Sequence, residues 1–395
     1  MIFLLELNHT SVTTDSSMST FIAPRYLFVF GVTLATVGIS AIPTQVVAAS
    51  ATGANTIYAA SCAFSAVQIA SASAASGQTV VIPKGSCDWG ANQLTVPGGI
   101  TIKGAGRDLT ILRRTARVPE NTYLVRFDCW NGKRATFSDI TLEGAMLPES
   151  YDRGLGLING CVDFKVSNSK FRKFTFAGVE VRGSSRQRGV IYNNHFINNY
   201  NPALRNMGYG VMVFGDGTWP ALELGSANAV FLEDNYMIGN RHHISSNHGA
   251  RYVFRYNVGV ATDATQDYPQ VDAHGVSSSP QGTRSWEVYK NSFSAQLTGN
   301  EQAYSGVGIR GGDGIIANNT FSKNITSPIV LRLEYGTICG SSYMQGQVRE
   351  AYVWSNAGTT PTSVCPASIA LNRDYFTFAK PNYKPYSYPH PLRSL

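Results

Sequence analysis

Short runs of alternating apolar and polar residues recur along the chain, and many of them close on asparagine. FKVSN ends at Asn168, VIYNN at Asn194, FLEDN at Asn235, VFRYN at Asn257, EVYKN at Asn291, IIANN at Asn319 and YVWSN at Asn356. The spacings of 26, 41, 22, 34, 28 and 37 residues suit a minimum coil near 22 with loops inserted at some corners. A second series alternates strictly with the first: GVEVRG (178–183), GVMVFG (210–215), HHISS (242–246), VDAHG (271–275), GVGIRG (306–311) and IVLRLE (329–334). Period-two alternation marks strands with two distinct faces, and almost no segment carries the helical period. Strands joined by turn-rich corners that rarely offer Asn-Gly hairpin signals predict a solenoid, each coil stacking on the last. The recurring asparagine then reads as an internal ladder whose amides satisfy backbone groups left unpaired at a bend.

Superposing the second series assigns faces. Val181, Val213, Ile244, Ala273, Ile309 and Leu331 fall in one inward column, and Val179, Val211, Val271, Val307 and Ile329 in another. The outward rows are then Glu180, Met212, His243, Asp272, Gly308 and Val330, and beside them Arg182, Phe214, Ser245, His274, Arg310 and Arg332. With coils about 4.8 Å apart, two imidazoles, one carboxylate and two guanidiniums share one exposed patch. Arg310 and Arg332 repel each other there unless an anion lies between them, which makes the patch easier to explain as a site than as decoration. His242 falls inward and is expected to be a buried histidine; Arg255, in the first series, is expected to be structural. His195 and His390 show no constellation.

Nearer the N-terminus, CAFSAVQIASASAASGQTVVIPKGSCDW (62–89) runs from an apolar helical stretch through a Gly turn into a strand, and ITIKGAGRDLTILRR (100–114) follows. A helix here would cap the first coil and cover its sheet edge. This opening resembles that of right-handed parallel β-helix proteins of the pectate-lyase-like superfamily, over roughly residues 54–356. The resemblance implies an all-β, right-handed parallel β-helix with an N-terminal capping helix. It leaves the reaction open, because the superfamily holds lyases, hydrolases, epimerases and adhesins. Neither the RxPxxR element of pectate lyases nor the paired-Asp motifs of polygalacturonases is present.

Residues 1–49 read as a signal peptide: Arg25, then YLFVFGVTLATVGISAI, then VVAAS. Met18 makes a better start for it than Met1, and an apolar run of roughly 17 residues is marginal for spanning a bilayer. Residues 50–395 form one domain, with a helical cap at about 54–76 and an irregular C-terminal segment at about 357–395. Six cysteines, at 62, 87, 129, 161, 339 and 365, suit an oxidising compartment. Neighbour pairing is one of the 15 connectivities open to six cysteines. The net charge is +7, and a secreted basic monomer draws in anionic polymers by long-range attraction. No Lys/Arg-rich run or nucleic-acid motif points to nucleic acid, and nothing after the signal points to a membrane.

These residues suit β-elimination on a uronate polysaccharide. That reaction must neutralise the uronate carboxylate, remove the C5 proton and protonate the departing oxygen. Guanidinium forks suit the first task and histidine the second. The expected catalytic set is His274, His243, Arg310, Arg332 and Asp272, with His274 ranked first as base beside Arg310. Arg241, His248, Arg251 and Tyr335 are expected to contact substrate, and the loops 215–229 and 260–270 to form walls. The acid is the other histidine or a tyrosine such as Tyr335 or Tyr289; the resemblance also permits an arginine base. No metal ligand set is assigned: Asp272 could bind Ca²⁺, but one carboxylate supplies too few oxygens for a Ca²⁺ site. Two readings compete. A glycoside hydrolase needs two carboxylates about 5 to 9.5 Å apart; the stacking puts Asp272 about 14 Å from Glu180 and further from Glu334, leaving Asp216, Asp263 and Asp267 on loops. A non-catalytic polysaccharide-binding or adhesin β-helix would show an aromatic platform, and only Phe214 lies on the outward rows.

Overall fold

The computed structural model of the protein describes residues 55–183, 187–204, 207–276 and 281–395; the predicted signal segment lies outside them. Three sheets of 12, 10 and 9 strands hold the described strands, and every strand pair in them is parallel. Each coil contributes one strand to each sheet in turn, so that neighbours in a sheet are one coil apart in sequence. This is a parallel β-helix. A nine-residue helix, Phe64–Ala72, precedes the first full coil and sinks Val67 and Ala70 into the core. No helix among the described residues is long and apolar enough to cross a membrane.

The core is a set of stacked apolar columns, the period-two pattern made solid. Val179, Val211, Ile244, Val271, Val307 and Ile329 follow one another by register, and each is fully buried. The asparagine ladder runs beside them. In each step one amide oxygen accepts from the backbone N–H and the side chain of the preceding asparagine, at 2.9–3.1 Å, from Asn194 through Asn235, Asn257, Asn291 and Asn319 to Asn356. Asn168 is a correction: it sits exposed at a left-handed turn (φ 50°), and Ser169 takes the ladder position, its N–H donating to Asn194 Oδ1 at 3.0 Å. A second, shorter ladder joins Asn199 to Asn240 and ends on His243.

Three disulfides join Cys62 to Cys87, Cys129 to Cys161 and Cys339 to Cys365, which is the neighbour pairing. The outer face of the 12-stranded sheet carries a second apolar layer, including Phe231, Val253 and Ile315, with Tyr383, Tyr386 and Leu392 of the C-terminal segment packed on it. Buried ions fix that segment: Arg255 pairs with Glu233 and donates to the carbonyls of Tyr386 and Ser387 at 2.6 Å, while Arg393 reaches Glu233 at 3.1 Å. Arg255 is structural, as the alternation predicts.

Candidate active site

The outer face of the ten-stranded sheet gathers the predicted patch around Asp272, on the strand Val271–Ala273. The row crossing it is Met212, Ser245, Asp272, Gly308 and Val330, and the next strand brings Arg310 alongside. Gly308 has a steric reason. A Cβ there would lie 2.8 Å from Pro269, so only glycine lets the wall residue Pro269 approach.

Asp272 is buried and saturated. Ser245 Oγ donates to it at 2.8 Å, Arg310 Nε and Nη2 at 3.0 and 2.6 Å, and His274 Nε2 lies 3.2 Å away. Glu334, one alternation beyond Arg332, completes a closed set: it takes Arg310 Nη1 at 2.5 Å, His274 Nδ1 at 3.3 Å and the Gly275 and Tyr335 amides at 2.9 Å each. Burial alone would raise both carboxyls, but the facing cations prevail. Arg310, with His274, holds Asp272 well below its usual range, and His274 with Arg310 holds Glu334 down to about 2. Burial alone would lower His274; Asp272 and Glu334 prevail and raise it. Both nitrogens of His274 face carboxylates, which favours its doubly protonated ring. That placement suits His274 to giving a proton better than to the expected role of base. The predicted repulsion between Arg310 and Arg332 is likewise removed by two carboxylates on Arg310.

His243 does not reach this patch. It is wholly buried at the inner side of a bend, in register with Gly210, its ring nitrogens taken by Asn240 at 3.2 Å, Gln270 at 3.0 Å and the Val260 amide at 3.1 Å. Burial drives its pKa down to about 3. The sequence superposition slips by two residues in this one coil: Ile244 follows Val211, and Ser246, not Ile244, follows Val213. The signal was present in the Gly-Val openings of GVEVRG, GVMVFG and GVGIRG, which align with His243-Ile244. The slip puts Ser245 in place of His243 beside Asp272, and a shift of two keeps the same face. The two histidines stand at the start of the strand, beside Tyr209 and Gly210, where His242, buried as expected at 3% exposure, borders the cleft and His243 turns into the bend.

His242 stacks on Tyr209 (centroids 5.8 Å apart, planes 11° apart) with Tyr268 edge-on at 5.9 Å. Its Nδ1–H donates to the Pro269 carbonyl at 2.5 Å, which leaves Nε2 as the unprotonated nitrogen, 3.9 Å from Asp272 Oδ2. Burial brings its pKa down to about 4, so the ring is neutral near pH 7. It lines a cleft of about 260 Å³ with Arg241, Tyr268, Pro269, Asp272, Arg310 and Arg332, and Asp267, one of the loop carboxylates named from the sequence, lines it too. Arg241 donates to Tyr209 Oη at 3.3 Å and lies over the Tyr268 ring at 4.6 Å. Among the described residues neither Arg241 nor Arg332 has an acidic partner.

The other expected contacts scatter. His248 packs on Phe214 (5.6 Å) at a left-handed turn on the His274 side of the patch. Arg251 begins a strand of the 12-stranded sheet, buried, with Thr218 Oγ1 at 3.4 Å. Tyr335 is 87% exposed beside Glu334. Of the two expected walls, 260–270 lines the cleft through Tyr268 and Pro269. The expectation that no carboxylate pair lies on the sheet is corrected too, since Asp272 and Glu334 share both His274 and Arg310. A calcium ion does not fit here, because the oxygens of Asp272 and Glu334 already face donors. Among the described residues no group of three or more His, Cys, Asp or Glu is placed to hold a metal.

The cleft, with two guanidiniums that lack acidic partners among the described residues and a buried imidazole, lies on one outer face of the stacked coils of a parallel β-helix. No family model and no curated protein matches the chain by sequence. Among solved structures it is similar to an alginate lyase from a Paenibacillus species, at 14% identity over 82% of this chain and 98% of that one, with a TM-score of 0.49. It is also similar to the catalytic unit of an α-1,3-glucanase from Streptomyces thermodiastaticus, at 14% identity over 76% and 67% of the two chains and a TM-score of 0.44. A third is the A-module of a mannuronan C-5 epimerase from Azotobacter vinelandii, at 14% identity, 82% and 95% coverage and a TM-score of 0.39. At such identity the likeness speaks of fold and not of chemistry.

Proposed function

We propose that the protein is an exported, monomeric lyase that cleaves a uronate-containing polysaccharide by β-elimination, with residues 1–49 as its export signal. The observation that carries this reading is the pairing, in one cleft, of two guanidiniums without acidic partners and a neutral imidazole whose Nε2 is free to accept. Arg241 and Arg332 bind the uronate carboxylate and lower the cost of charge developing at C5. His242 Nε2 removes the C5 proton; the C4–O bond breaks as the C4=C5 bond forms. His274 supplies the proton to the leaving oxygen by releasing one of its two carboxylate partners. Asp272 and Arg310 do not touch substrate in this scheme: they fix the charge and orientation of His274. Hydrolysis through Asp272 and Glu334 is disfavoured by the same electrostatics, because an acid–base carboxylate pair needs one member protonated and both are held ionised.

The test is incubation with alginate, pectate, glucuronan and glycosaminoglycans while following the ultraviolet absorbance of the C4=C5 product. A rise with one of them is expected. New reducing ends without that absorbance would mean a hydrolase, and neither signal would leave a binding protein.

A further inference from the structure

Away from the cleft, on the outer face of the 12-stranded sheet, the C-terminal segment crosses the coils without closing on them completely. It leaves a hollow of about 360 Å³, in the size range of small-ligand sites. Ile315 and Ala317 form its floor; both point outward from their strand yet are 1% exposed, because the crossing segment covers them. Trp354 and Tyr383 stand on one side, 6.2 Å apart and nearly perpendicular. Tyr256 and Tyr388 stack at 3.6 Å on the other. Lys290 lies at the lining with its ammonium 3.0 Å from Tyr256 Oη and, among the described residues, no acidic partner. Asn318 also lines it, and neither its side-chain amide nor the Trp354 indole N–H has a protein partner among the described residues.

An apolar floor, aromatic faces and unpaired N–H donors match a pyranose ring, whose C–H face packs on aromatics while its rim of oxygens accepts hydrogen bonds. The uncompensated ammonium selects a ring that carries a carboxylate. We infer that this hollow is a second, non-catalytic glycan site that holds a uronate unit of a polymer, on a different sheet from the cleft. The uronate identity rests on the proposed function; the site itself does not. Two separated sites on one rigid coil stack raise retention on a long polymer by effective concentration, with no gain for a ligand too short to reach both.

The full chain and its Trp354→Ala, Trp354→Phe and Lys290→Glu variants are run by affinity electrophoresis through gels holding alginate, pectate or neutral xylan, with thermal unfolding of each. Wild-type retardation by a uronate polymer is expected, weakened about tenfold in Trp354→Ala and Lys290→Glu, less in Trp354→Phe, with turnover of short oligosaccharides unchanged. Lys290 is exposed, so its variant remains informative if Trp354→Ala fails to fold. Undiminished retardation in Lys290→Glu and Trp354→Phe would overturn the site, as would equal retardation by xylan. Polymer binding that depends on Trp354 and Lys290 in a protein that cleaves nothing would sink the lyase reading and leave this one standing.

Discussion

Two imidazoles flank Asp272, and their surroundings push them in opposite directions. His242 is neutral because burial disfavours its charge, and its tautomer is set by the Pro269 carbonyl. His274 is pushed toward its charged form because two carboxylates outweigh its burial. Replacing His242 by alanine should therefore lower kcat/KM by about 10² to 10⁴, measured on the polymer that gives unsaturated product, and cost about 1–3 kcal/mol of stability as the ring stacked on Tyr209 is lost. The kcat/KM profile should fall on the acid side as His242 protonates, near pH 4, and on the alkaline side as His274 loses its proton above 6.5. A profile that keeps rising through pH 10 would remove His274 as the proton donor. Arg332→Ala should raise KM and lower kcat, with lysine a partial substitute because it lacks the planar fork. Asp272→Asn belongs to a different class: it uncovers the buried charge of Arg310 and should lower unfolding stability by about 3–5 kcal/mol, read as a shift in the urea midpoint.

At the level of the strand and its bend, the asparagines were legible and one register was not. A ladder amide repeats because each coil leaves the same backbone groups unpaired at the same corner, so sequence spacing alone exposes it. Asn257→Ala should strand the Asn235 backbone N–H and take the Asn257 donor from the Leu232 carbonyl, while the Asn235 side chain keeps the Ile191 carbonyl; it should destabilise by about 1–3 kcal/mol for each group stranded, measured by denaturant unfolding. The strand His242–Asn247 was misread because register is dictated by apolar alternation, and it has one aliphatic residue, Ile244, to offer. Ser246 fills the other inward column by bonding Thr283 Oγ1 at 2.8 Å, a polar solution that a hydrophobic pattern does not register. Asp272, His274, Arg310 and Arg332 came out on one face because their own coils carry two aliphatic anchors each. Glu334 was visible at the right parity, two beyond Arg332, but lies past its strand, where alternation no longer fixes direction.

For the whole molecule, charge links stability to pH in a way the buried histidines decide. His242 and His243 titrate near 6.5 when unfolded but at about 4 and about 3 when folded, so between those values the unfolded chain binds more protons. Stability should fall as pH drops from 6.5 toward 4, by on the order of several kcal/mol. The carboxylates add their loss only below 4.5, toward the folded value of Glu334 near 2. His274 contributes oppositely, with stability fully present below 6.5 and fading as pH rises through its raised value. Urea unfolding between pH 4 and 8 checks this; a midpoint that does not fall on the acid side would refute the burial of both rings.

The C-terminal segment also sets an order of events during synthesis. Coils can assemble in sequence as the chain emerges, each on the one before. Tyr383 and Arg393, however, meet partners 96 and 160 residues earlier, Glu287 and Glu233. Until that late stretch arrives, the oily flank formed by Phe231, Val253 and Ile315 stays bare to its surroundings. The nascent protein thus passes through a sticky interval whose length is set by the remaining translation time. A chaperone that shields flat apolar surfaces would find its client there, and slowing the ribosome over the last coils should increase aggregation before release.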